Sequence, residues 1–209
     1  NPLLKGVALP AALKICTEIA CVAEKELVVF ATPSFAVRET AQKAAPYLGD
    51  GTLVVSVSKG IEKGTSLRLS QIIDEETKGR CRIVALSGPS HAEEVGRHVP
   101  TGCVAASLDR EAAEMVQDAF MNERFRIYSS PDIVGVELAA ALKNVIALCY
   151  GVCDGLGYGD NTRALLMTRG LTETARLGVA MGGKKETFAG LAGVGDLIVT
   201  CTSMHSRNH

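Results

Sequence analysis

Short β-branched runs alternate with amphipathic stretches through the first 128 residues, and then the alternation stops. Residues 26–31, 52–58, 82–86, 102–106 and 125–128 read as strands; Thr32-Pro33-Ser34 closes the first, and the turn Gly49-Asp50-Gly51 leads into the second. Residues 35–48, 66–77 and 110–121 read as helices between them. Strands separated by helices of about ten to fifteen residues predict βαβ units and a mostly parallel sheet. The strand runs are almost continuously apolar, so the sheet is expected to be covered on both faces. Beyond the break at Ser129-Ser130-Pro131-Asp132, residues 136–153 and 162–181 read as long helices separated by Gly155, Gly157 and Gly159. The expected class is α/β: a mostly parallel sheet domain over 1–130, followed by an all-α domain over 131–209.

Composition narrows the function. With 47% of its 209 residues hydrophobic, the chain can bury a substantial core and is not disordered. Lys+Arg 22 against Asp+Glu 23 leaves a net charge of −1, which excludes a global basic field for nucleic acid or an anionic membrane. Trp is absent and aromatics make up 4%, which argues against base-stacking platforms. The longest near-continuous apolar run, 145–153, falls short of the roughly 18–20 residues of a membrane span, so none is expected. The seven cysteines are odd in number and lack CxxC spacing; they are expected to be small buried hydrophobes in a reducing compartment. His91, His98, His205 and His209 form no metal-binding pattern, and no metal is expected. No secretory signal is visible, and a soluble cytoplasmic enzyme is the expectation.

Open α/β sheets bind ligands beyond the carboxyl ends of their strands. Three successive strands here end in Pro33-Ser34, Lys59-Gly60 and Gly88-Pro89-Ser90, which would line one edge of one sheet. Each has a plainer account: ordinary turn chemistry, a solvated lysine, or a capping box in which Ser90 and Glu93 start the next helix. That helix start would also offer N–H groups to an anion. Lys143 is the sharpest single residue, because its helical neighbours Ala139, Ala140, Ile146 and Ala147 are all small or apolar. Burial lowers a lysine pKa toward useful acid–base behaviour near neutrality, whereas snorkelling to solvent would not. Two glycine-rich stretches, 154–160 and 190–196, miss the GxGxxG pattern; the first reads as a helix connection, and Asp196 ends the second as a helix N-cap or a functional carboxylate. Arg207, flanked by Ser206 and Asn208, presents a guanidinium fork suited to phosphate or carboxylate.

Taken in order, these residues resemble the bacterial-type NAD(P)-dependent glycerol-3-phosphate dehydrogenases. The resemblance runs from Ser58-Lys59-Gly60-Ile61-Glu62 and Ser87-Gly88-Pro89-Ser90 through Val136-Glu137-Leu138, Ala141-Leu142-Lys143-Asn144 and Thr168-Arg169-Gly170 to Gly190-Leu191-Ala192-Gly193-Val194-Gly195-Asp196 and Ser206-Arg207-Asn208. His91, where the family often carries Phe, is a mild departure. The resemblance implies a partial Rossmann-like domain whose first βα unit, with its glycine fingerprint, precedes Asn1, and a helical substrate domain that continues past His209. It implies reversible reduction of glycerone phosphate to sn-glycerol 3-phosphate with NAD or NADP, feeding phospholipid synthesis, in a homodimer. Lys143 would be the catalytic acid/base. Lys59, Gly88, Ser90, Lys143, Asp196, Ser206, Arg207 and Asn208 would bind substrate, and Ser34, Lys59, Ala92 and Arg207 the cofactor. Preference between NAD and NADP is not readable. A related β-hydroxyacid or 6-phosphogluconate-type dehydrogenase, or a non-enzymatic nucleotide-binding module, are the alternatives.

Overall fold

The structure, a computed structural model, describes residue 4 and residues 6–203. Five strands, β1 (Leu27–Phe30), β2 (Leu53–Ser56), β3 (Arg82–Ser87), β4 (Thr101–Ala106) and β5 (Phe125–Ser130), form one sheet in sequential order. Three of its four pairings are parallel, as the alternation predicts, and β3–β4 is antiparallel. The reversal has a local cause. A parallel return needs a crossover of about a dozen or more residues, usually a helix, to carry the chain back along the sheet. Between β3 and β4 the only helix is α3 (Ala92–Val95), four residues long, so the chain re-enters from the edge it has just left.

Helices α1 (Val37–Ala44) and α2 (Leu69–Thr77) cover one face, packing Val37, Ala41, Leu69, Ile72 and Ile73 on Val28, Phe30 and Val54. On the other face α4 (Arg110–Phe120) sets Ala112 and Val116 against Leu53, Val55, Val84 and Ile127. Every residue of β2 is buried, which is why its sequence shows no alternation. The helix expected over 35–48 is divided into a 3-10 turn (Ser34–Ala36), α1 and a second 3-10 turn (Ala45–Tyr47), where Pro46 cannot continue the α-helical hydrogen bonding. The helix expected from 66 starts at Leu69, because Ser66 adopts a left-handed φ of 61° and Arg68 is extended.

Helices α5 (Ile133–Gly155), α6 (Asp160–Ala180), α7 (Lys185–Phe188) and α8 (Asp196–Thr202) follow, with a single π turn over Leu191–Gly195 leading into α8. The glycine-rich stretch after α5 is the helix connection expected. Asp132 starts α5: one carboxylate oxygen accepts from Gly135 N at 2.9 Å, and the other accepts from Lys184 N at 2.8 Å and Thr187 Oγ1 at 2.5 Å. Ile133 and Val136 pack with Ala85, Ala106 and Ala192, seating α5 on the sheet, while Ala147 and Tyr150 pack with Leu197 and Cys201 of α8. Among the described residues α5 is the one helix long and apolar enough to cross a membrane, a longer stretch than the run at 145–153 suggested because Lys143 and Asn144 interrupt that run. Most of it is covered by the rest of the chain, and its Glu137 and Lys143 are buried in ion pairs, as in a helix central to a folded protein. The cysteine expectation holds for Cys81, Cys103 and Cys201, whereas Cys16, Cys21 and Cys149 are exposed and Cys153 is half-buried. Cys149 lies on the outward face of α5, which apolar composition alone does not distinguish from the inward one.

Helix α6 meets α7 at Gly178, where a Cβ would sit 1.9 Å from Cζ of the buried Phe188. Gly178→Ala should destabilise the fold by about 2 kcal/mol, since overpacking outweighs the ~1 kcal/mol that alanine gains over glycine inside a helix. A urea midpoint at or above that of the wild type would show that this contact is not close-packed.

Candidate active site

The carboxyl ends of β1, β2 and β3 open on one edge, and the segments that follow them touch. Gly60 has φ 156°, and a Cβ there would fall 2.5 Å from the Ser34 Cβ, so the Lys59 segment closes directly on the β1 end. Gly88 has φ 153°, and its Cβ would meet Cys103 Cα at 3.0 Å. The Gly88 carbonyl accepts from Lys59 Nζ at 3.1 Å and from Ser90 Oγ at 3.2 Å. Ser90 is therefore turned back toward β3 and does not cap the next helix: α3 begins after His91 without a side-chain cap, so the expected Ser90–Glu93 capping box is absent. Ala92, exposed, is the first residue of that helix, and Ser34 lies half-buried at the start of its 3-10 turn. Ser206, Arg207 and Asn208 lie outside the described residues.

Asp196 joins this edge to the helices. Its Oδ2 accepts from Lys59 Nζ at 2.6 Å and its Oδ1 from Lys143 Nζ at 2.5 Å. Lys143 Nζ also donates to Thr200 Oγ1 at 2.5 Å, and that hydroxyl donates to the Asp196 carbonyl at 2.6 Å. Lys143 is 6% exposed and Asp196 2%, so the snorkelling account of Lys143 does not hold. The helix-cap account of Asp196 does not hold either, because Gly195 precedes α8 and the Asp196 carboxylate is turned onto the two lysines. The π turn places it: residues 191–195 fold so tightly over α7 that a Cβ at Gly193 would lie 2.1 Å from the Phe188 carbonyl oxygen. Single π turns of this kind occur frequently at functional sites.

Thr200 was not singled out from the sequence. Its position four residues after Asp196 on a helix, and so on the same face, is the signal that finds it.

Burial is the main reason the Lys143 ammonium titrates low, at about 8, and the neighbouring Lys59 charge adds to the effect against the opposing pull of Asp196. Burial also pushes the Cys201 thiol up to about 11. With both lysines protonated the cluster carries one net positive charge in a poorly solvated setting, where an added anion or developing alkoxide is favoured. Each ammonium has three N–H groups and uses two on these partners. Among the described residues, the side-chain oxygens of Thr32, Ser56 and Ser87, all at this end of the sheet, have no hydrogen-bond partner. No group of three or more His, Cys, Asp or Glu among those residues is arranged to hold a metal ion.

The carboxyl edge of an open α/β sheet, where such folds bind their ligands, here meets the helical half through two lysines and a carboxylate, which defines a cationic ligand site. The chain belongs to the NAD-dependent glycerol-3-phosphate dehydrogenase family: the family's N-terminal model matches residues 1–113 and its C-terminal model residues 132–209. Glycerol-3-phosphate dehydrogenase (NAD(P)+) of Desulfitobacterium hafniense (strain Y51) is 58% identical over all of this chain, and that of Moorella thermoacetica (strain ATCC 39073 / JCM 9320) is 63% identical over 87% of it. The chain spans 59% and 54% of the lengths of those two relatives. The crystal structure of glycerol-3-phosphate dehydrogenase from Coxiella burnetii superposes with a TM-score of 0.93 at 38% identity, covering 98% of this chain and 63% of that one.

Asp196 holds the Lys143 pKa up, so removing its charge should let burial lower it further. In Asp196→Asn the favourable term disappears while burial and Lys59 remain, so the Lys143 midpoint should fall below about 8, read by NMR titration of 13C-labelled lysine side chains. An unchanged or higher midpoint would contradict it.

Proposed function

We propose that the complete protein catalyses reversible reduction of glycerone phosphate to sn-glycerol 3-phosphate with NADH or NADPH. The observation that carries the reading is the buried Lys143 ammonium, anchored to Asp196 beside Lys59 at the carboxyl edge of the sheet. Reduction of a ketone needs a proton donor at the developing alkoxide and positive charge close by. Lys143 would donate the proton to the substrate's C2 oxygen, and in the reverse direction take it back. Lys59 would supply the second positive charge. Asp196 and Thr200 hold the Lys143 amine in place, so it pays no reorganisation cost during the reaction.

A nicotinamide dinucleotide, when bound, supplies the hydride. The sheet edge fits such a group in its chemistry: the buried hydroxyls of Thr32, Ser56 and Ser87 have no hydrogen-bond partner there, and the glycines at 60 and 88 let the strand ends that would hold it close on one another. Ser34, Lys59, Ala92 and Arg207 are the residues proposed to hold it. Lys59, Gly88, Ser90, Lys143 and Asp196 are proposed to line the substrate, with Ser206, Arg207 and Asn208 taking its phosphate through fixed donors. Residues 1–130 are proposed as part of the dinucleotide domain and 131–209 as part of the substrate domain. A cytoplasmic homodimer that feeds glycerophospholipid synthesis is part of the same proposal and rests on family resemblance.

Two outcomes test it on the full-length protein. Lys143→Ala should lower kcat/KM for glycerone phosphate by about 10²–10⁴-fold, the usual contribution of general acid–base catalysis, and a loss of less than tenfold would contradict the proton-transfer role. The acid must be protonated for reduction and neutral for oxidation. Reductive kcat/KM should therefore fall as pH rises through about 8, and oxidative kcat/KM should rise through the same range. Parallel profiles in the two directions would exclude Lys143 as the titrating group.

A further inference from the structure

Glu137 lies on α5 six residues before Lys143, buried to 7% exposure, and plays no part in the chemistry described above. Its carboxylate is fully engaged with the start of α2. Oε1 accepts from Ser70 N at 2.8 Å, and Oε2 accepts from Ser70 Oγ at 2.6 Å and from Arg68 Nη1 at 2.5 Å. Arg68 in turn closes the segment that carries the other lysine. It forms an antiparallel bridge with Ile61, two residues after Lys59, next to the hydrogen bond from Glu62 N to Leu67 O at 3.0 Å. Ile61 itself packs on a cluster that includes Leu138 and Ala139 of α5. The opposite side of the segment is tied to α1 and α2, where Arg38 grips Glu62 through two hydrogen bonds, 2.7 and 2.8 Å, and also reaches Glu75 and Glu76.

One helix thus carries both Lys143 and the anchor of the segment that carries Lys59. We propose that Glu137 is a positioning residue: through Arg68 and Ser70 it sets the register between the Lys59 segment and α5, so that both ammonium groups reach the same Asp196 carboxylate. A buried ion pair is weak support for stability, since apolar residues of similar volume commonly serve as well, whereas its directed hydrogen bonds fix geometry. Ile61 supplies apolar packing at the same contact, but packing alone does not set the rotation and advance of the loop that three directional bonds define. The role rests on the reading of the two lysines as the catalytic pair.

The test reads Lys143 without turnover. Full-length protein with 13C-labelled lysine side chains is titrated as wild type, Glu137→Gln, Lys59→Ala and the double variant. Among the described residues, the charged groups facing the Lys143 amine are Asp196 and Lys59, with the Cys201 thiol nearby. Releasing the Lys59 segment withdraws a like charge, so Glu137→Gln should raise the Lys143 midpoint from about 8 by about one unit. The same substitution should add nothing in the Lys59→Ala background. Reductive kcat should fall about tenfold or more, because a displacement of about 1 Å at a positioned group can cost that much. Arg68→Met, which removes the same anchor from the other side, stands in if Glu137→Gln does not fold. An unchanged Lys143 midpoint in a folded variant, or an equal shift with and without Lys59, would overturn the assignment. Absence of reductase activity in the wild type would overturn the proposed reaction instead, and leave the titration result to decide on Glu137.

Discussion

A single buried carboxylate, Asp196, accepts hydrogen bonds from two ammonium groups that arrive from different parts of the fold. Taking charges out of water is expensive, and two cations around one anion leave a net charge that the interior does not neutralise. Such a cluster adds little to stability. It persists because the surrounding structure holds each member, and its net positive charge favours an electron-rich oxygen brought close to it. That unbalanced charge connects the architecture to the chemistry proposed for it.

The fold meets this requirement from two directions. On the sheet side, Gly60 and Gly88 allow successive strand ends to close on one another, so Lys59 can reach both the Gly88 carbonyl and Asp196. On the helical side, Asp132 starts α5 and at the same time receives donors from the α7 region, which fixes the long helix relative to the shorter ones. The π turn before α8 presents Asp196 inward, and Thr200, one turn later, completes the coordination of Lys143. Each device is local and short in sequence. Together they bring residues 59, 143 and 196 within hydrogen-bond distance.

Much of this was legible in the sequence, for reasons that can be named. The five strands and the long helices follow from hydrophobic period and length, and the burial of Lys143 follows from its apolar helical neighbours. The antiparallel β4 was not legible, because it depends on how short α3 turns out to be, and element boundaries carry little periodic signal. The Ser90–Glu93 pattern matches a capping box, yet the helix starts one residue later with His91 at its N-cap, and the Ser90 hydroxyl donates to the Gly88 carbonyl. Asp196 before an apolar stretch looked equally like a cap or a functional carboxylate, since the π turn that decides between them is a backbone property without a residue signature. The contacts of Glu137 are not legible because its partners lie 67 and 69 positions away, and the bond from Lys143 to Thr200 spans 57 positions, although the four-residue spacing of Thr200 from Asp196 marks their shared helix face.

The proposed function puts reduction of a phosphorylated substrate's carbonyl carbon at the two lysines and Asp196. The most direct measurement is a crystal structure of the full-length protein with oxidised nicotinamide cofactor and sn-glycerol 3-phosphate. The account predicts the C2 hydroxyl within hydrogen-bond reach of Lys143 Nζ, roughly 2.6–3.2 Å, with Asp196 still bonded to both lysines. A substrate bound in good order with its C2 oxygen well beyond that reach, and Lys143 enclosed by protein alone, would contradict it.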